Sequence, residues 1–180
     1  MSQTFYKTEE EKIKFRKILE AMSKLNHKEL LAYWIDQELK GAEMYYRLHE
    51  LGKEINWDDE ISKLFFQLYK DSLEHAETLL KMFSYMFPNE NPPTVDIPAL
   101  DGEYSEERLQ KMVYREALKD ILEYLMGTEY LARDVYRYLA EKTEDENAKA
   151  TLIWLANIEN GHYQKLRNIY TLLLGGESGE

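Results

Sequence analysis

The sequence predicts an all-α protein: a four-helix bundle with one long crossover, preceded by a short N-terminal helix. Three observations carry that expectation. Gly and Pro are scarce, 8 and 4 residues in 180, so little of the chain breaks a helix. Apolar residues recur at the helical period along most of its length. Three of the four prolines fall in one segment, "NENPPTVDIPALDG" (89–102), which reads as the only long loop.

A first helix, α1, is expected in "TEEEKIKFRKILEAM" (8–22), where Thr8 and Glu11 make a capping box and Ile13, Ile18, Leu19 and Met22 supply one apolar side. Helix α2 runs from about His27 to Leu51, with Gly52 as its C-cap. Helix α3 starts after Asp58 and Asp59, aligns Ile61, Leu64, Leu68, His75 and Leu79 on one side, and ends at Pro88. Ser105 caps α4, about Glu106 to Lys142; α5 follows "TEDEN" (143–147) and continues through Leu173, leaving "GGESGE" (175–180) as a frayed tail. Short connections make α2/α3 and α4/α5 antiparallel hairpins. The sixteen residues from Asn89 to Tyr104, extended at ~3.3 Å each, can cross a bundle from end to end, so α3 and α4 are expected to run parallel. Residues 1–26 are then an N-terminal helical extension, 27–174 the bundle and 175–180 the tail.

Composition narrows the chemistry. With no Cys, the chain has no disulfide, thiolate zinc site, iron-sulfur cluster or thiol nucleophile. Any metal must be held by Glu, Asp and His. A net charge of −11 argues against nucleic acid or an anionic membrane as partner, because both need a basic face. No apolar run is long enough to span a bilayer, and "MSQTFYKTEEEKIKF" lacks the apolar core of a signal peptide. The expectation is a soluble cytoplasmic protein.

The second hairpin repeats the first. At an offset of 91, "ELKGAEMYYRLHE" (38–50) falls on "EYLARDVYRYLAE" (129–141), pairing Glu38 with Glu129, Gly41 with Ala132 and Tyr45 with Tyr136. At an offset of 87, "SLEHAETL" (72–79) falls on "ENGHYQKL" (159–166), pairing His75 with His162 and Ser72 with Glu159. Depth agrees as well. Glu38 lies 14 residues before Gly52, while Ser72 and His75 lie 14 and 17 after Asp58; Glu129 lies 14 before Thr143, while Glu159 and His162 lie 14 and 17 after Asp145. Each set therefore sits at one level of its hairpin. These polar residues also interrupt apolar faces: Glu129 stands in the series Leu122, Leu125, Glu129, Tyr136, Leu139, and Glu159 in Leu152, Leu155, Glu159, His162, Leu166. A carboxylate in a helical core costs several kcal/mol unless it is paired or binds metal.

The pattern of Glu, a small residue at plus three, Tyr at plus seven and then a Glu-x-x-His helix, twice over, resembles the ferritin-like di-iron proteins, in particular the rubrerythrin-type ferritin-like domains. The resemblance covers residues 28 to 173. It implies a ferritin-like bundle whose metal ligands are Glu38, His75, Glu129, Glu159 and His162, with Ser72 in place of the α3 carboxylate. It also implies two iron ions, or one if the Ser72 side is lost, with Mn or Zn as other metals suited to these donors. The implied activity is reduction of peroxide or dioxygen, and without Cys-ligated iron the chain needs an external electron donor. Asp71, one position before Ser72, could reach a metal or accept from a ligand's N–H. Tyr45 and Tyr136, two turns from their Glu partners, could hydrogen-bond a ligand. No catalytic residue beyond the ligands is assigned. Two other readings stay open: an iron-binding or storage-related protein, and a non-catalytic helical scaffold whose site is degraded at Ser72. Homodimerisation through an exposed face of α1 is a further expectation, though no residue pattern specifies it.

Overall fold

A computed structural model describes residues 9–97, 110, 113 and 118–175. They contain five long helices, α1 (Glu9–Met22), α2 (His27–Glu54), α3 (Asp59–Met86), α4 (Leu118–Lys142) and α5 (Glu146–Gly175), and no strand. The all-α expectation holds. Ser105, Thr8 and residues 98–104 of the expected crossover lie outside the described residues; residues 89–97 of it are non-helical. The described chain forms two compact units, one holding α1, α2 and α3 and the other α4 and α5.

In the first unit α2 and α3 are an antiparallel pair, because facing positions descend on one helix as they climb on the other. Lys28 lies over the ring of Phe87, Glu38 meets His75, Gly41 faces Ser72, and His49 meets Ser62. Asn26 starts α2 with a capping box: its side chain accepts from the Glu29 N–H while the Glu29 carboxylate accepts from the Asn26 N–H. Asp58 caps α3 by accepting from the Glu60 N–H.

The end of α2 departs from expectation. Gly52 is inside the helix, which continues to Glu54, and the left-handed residue that stops it is Asn56, at φ 55°. The Asn56 N–H donates to Lys53 O and the Trp57 N–H to Gly52 O, the two bonds of a Schellman motif. Gly52 serves instead a close approach: a Cβ there would stand 2.7 Å from Cε3 of Trp57, which packs against Phe65. In α1, Ile18 and Met22 are buried, but Ile13 is 50% exposed. At 100° per residue Ile13 projects opposite Met22, so it does not share the buried side expected for it.

The second unit repeats the antiparallel arrangement, with Glu123 facing Tyr170, Tyr130 facing Tyr163 and Arg133 facing Asn160. Asp145 accepts from the Ala148 N–H, so α5 begins at Glu146, inside "TEDEN" rather than after it. Leu122, Leu125, Tyr136, Leu139, Leu152, Leu155 and Leu166 are fully buried, forming the apolar surroundings in which the acidic residues of this hairpin sit.

Candidate metal centre

The repeat brings each Glu to its His within a hairpin. In the α4/α5 hairpin, Glu129, Glu159 and His162 are all buried, at 6%, 2% and 2% exposure. His162 Nδ1 lies 3.1 Å from Glu159 Oε2, one turn earlier on α5, and 3.4 Å from Glu129 Oε2 on α4. One donor atom from each of the three falls within 4.8 Å of the others. In the α2/α3 hairpin the same nitrogen does the same work: His75 Nδ1 lies 3.5 Å from Glu38 Oε2, with both residues buried.

The helix period explains this convergence. Residues i and i+3 share a face, so a Glu-x-x-His pair on one helix presents carboxylate and imidazole together, and an antiparallel neighbour at the same level adds the second Glu. Two buried carboxylates against one imidazole leave negative charge uncompensated. Burial first, then the neighbouring Glu159 carboxylate, push the Glu129 carboxyl up to about 7, with His162 pulling the other way. A divalent cation suits such a set: hard oxygen donors, one imidazole nitrogen, an apolar shell and an excess of negative charge. These residues fit a carboxylate-histidine metal.

Ser72 is buried, and its Oγ lies 4.0 Å from the place a Gly41 Cβ would occupy, so the α3 helix turns this position toward α2 as α5 turns Glu159 inward. The hairpins thus differ in their donors at matching positions, three in one and two in the other. Asp71 is half-buried, its Oδ1 accepts from Gln67 Nε2 at 2.6 Å, and it belongs to no group of three metal donors among the described residues. Tyr45 and Tyr136 are buried in their hairpins, Tyr45 stacked near Phe65. Sequence reasoning passed over His49, which is buried with Nδ1 2.8 Å from the Ser62 carbonyl oxygen and 3.1 Å from its hydroxyl. That is a core histidine satisfied by backbone. Its Nε2 lies 3.8 Å from the carboxylate of Glu50, the next residue on α2, and no carboxylate stands three or four residues before it.

Comparison with known proteins adds an independent line. Among solved structures, the chain is similar to a hypothetical protein from Pyrococcus furiosus, at 28% sequence identity and a TM-score of 0.71, covering 87% of this chain and 96% of that one. Comparison with curated proteins gives no match. The rubrerythrin family matches residues 29–170. That span contains Glu38, His75, Glu129, Glu159 and His162 and nearly all of both hairpins, and the chain belongs to the rubrerythrin family.

Proposed function

We propose that this protein is a di-iron oxidoreductase that reduces peroxide or dioxygen with electrons from an external donor. The observation that supports it most is the buried Glu129, Glu159 and His162 cluster, a donor set whose charge only a cation or protons can balance. In this reading Glu129, Glu159 and His162 hold the tighter ion, and Glu38 and His75 the weaker. A bound ferrous pair would supply the two electrons that, with two protons, convert hydrogen peroxide to two waters. The chain's own part is to hold and tune. Glu129, with its carboxyl raised to about 7, exchanges its proton for the cation near neutral pH. Apolar residues such as Leu125 and Leu155 are buried within a turn of Glu129 and Glu159 and lower the local dielectric. Because the sequence has no Cys, it carries no thiolate-bound iron to relay electrons, and the donor is external.

Metal content decides the first step. Protein expressed with iron and purified without chelator should hold two irons per chain, or one if the Ser72 side does not retain its ion; none would overturn the reading. Peroxide consumption with a supplied reductant, compared with iron retention after oxidation, then separates an oxidoreductase from a storage-related protein.

A further inference from the structure

Among the described residues, every Ser and Thr within a helix but one uses its hydroxyl in a hydrogen bond. Ser62 meets His49, and Ser84, Thr128, Thr151 and Thr171 each donate to a carbonyl one turn back on their own helix. The exception is Ser72, whose hydroxyl bonds none of the described residues although it is only 6% exposed. Its Oγ faces Gly41 on α2, 4.0 Å from where a Cβ would stand. Gly41 lies one turn after Glu38, and Ser72 one turn before His75; Glu38 Oε2 and His75 Nδ1 are 3.5 Å apart. Hydroxyl, carboxylate and imidazole therefore share the facing sides of the two helices. The second hairpin serves as an internal control. There Ala132 stands in the place of Gly41 and Glu159 in the place of Ser72, so the first hairpin is smaller on both sides at once. A core that had merely lost a ligand would regain density through a larger residue at one of the two positions. This one keeps the space and lines it with polar groups.

We propose, resting on the metal reading above, that Ser72 binds one water beside Gly41, and that this water takes the donor place on α3 that Glu159 takes on α5. A buried hydroxyl needs a partner, and buried water is found where two or more polar groups converge. The water's protons go to Ser72 Oγ and the Glu38 carboxylate, which leaves a lone pair for the cation. Ser72 is thus a positioning residue, acting on the ion through the water. A neutral oxygen is a weaker donor than a carboxylate, which accounts for the ion of this hairpin being the weaker one. Asp71 does not take the place: it stands 100° round α3 from Ser72, and its Oδ1 accepts from Gln67.

Crystallography and Mn(II) titration on the full chain test the proposal. High-resolution crystals of metal-free protein should show a water within hydrogen-bond distance of Ser72 Oγ, and S72A should lack it. A Ser72 hydroxyl turned back onto the Leu68 carbonyl, with no water beside it, overturns the proposal. In Mn(II) titration followed by electron paramagnetic resonance, S72A should bind the weaker ion roughly fivefold less tightly, with the tighter ion unchanged. G41A, which sets a methyl group where the water sits, should weaken the same ion with the Ser72 hydroxyl still present. It also improves helix propensity, so it keeps the proposal falsifiable should S72A fail to fold. A chain that shows the water but binds no Mn(II) fails the metal reading and, with it, the donor role. One that binds two ions identically in wild type, S72A and G41A fails the donor role alone.

Discussion

At the scale of single residues, the site turns on which histidines meet a buried carboxylate of the neighbouring helix. His49 has its Nδ1 on a backbone carbonyl, while His75 and His162 each direct Nδ1 toward a buried Glu from the neighbouring helix. His162 also meets a second carboxylate, Glu159, three residues before it at 3.1 Å, where His75 has Ser72. His162→Ala should therefore abolish most metal binding, because it removes the one nitrogen donor of the three-residue cluster; elemental analysis reads the result, and a wild-type metal complement would refute the assignment. Ser72 offers the reverse test. It is buried, one turn before His75, and opposite the bare backbone of Gly41, so a longer side chain has somewhere to go. A neutral hydroxyl is a poor donor to Fe(II) or Mn(II). Ser72→Glu should raise metal retention toward two ions per chain and speed peroxide-driven oxidation. An unchanged stoichiometry and rate, with two ions already bound tightly in the wild type, would mean that another group fills the position.

At the scale of elements, periodicity and spacing made most of the structure legible, and local cap chemistry made the rest hard to read. The level of Glu38 with His75 and of Glu129 with His162 followed from counting residues to the hairpin turns, because rise per residue is fixed in a helix. The end of α2 could not be counted, since Gly52 and Asn56 both suit a left-handed cap and only the approach of Trp57 shows which glycine property is in use. Ile13 is exposed despite being apolar, because its angle on the helix, not its type, decides which side it joins. The α2 terminus yields its own prediction. Gly→Ala inside a helix ordinarily gains about 1 kcal/mol, but a Cβ at Gly52 would sit 2.7 Å from an indole ring that is itself packed on Phe65. Overpacking of that kind costs about 1–3 kcal/mol. Gly52→Ala should therefore destabilise the protein in urea titration, whereas Asn56→Gly, which leaves the left-handed turn intact, should be close to neutral. A stabilised Gly52→Ala would show that Trp57 moves aside at little cost.

At the scale of the whole molecule, the buried carboxylates tie folding to pH and to metal with opposite signs. Glu129 titrates at about 7 in the folded chain and at 4.5 ordinarily. Between those values the folded state holds a proton that the unfolded state has lost, so this group's contribution to metal-free stability is full below pH 4.5 and is lost as pH rises toward 7. A bound cation inverts the trend, since it takes the ionised carboxylate and binds the folded state in preference to the unfolded one. Thermal unfolding of metal-free protein, followed with and without excess Mn(II), should show a small metal-induced rise in Tm near pH 5.5 and a larger one near pH 7.5. Excess metal at a hundred times Kd would contribute about 2.7 kcal/mol, enough to read as several degrees in a chain of this size. Glu129→Gln separates this account from a general effect of metal on an acidic protein of net charge −11. The amide cannot ionise, so the variant should lose the pH dependence of the metal effect and, without metal, should be more stable than wild type near pH 7.5. Equal Tm increments at both pH values in the wild type would show that proton release from Glu129 does not accompany binding, and would move the tight ion away from the α4/α5 cluster.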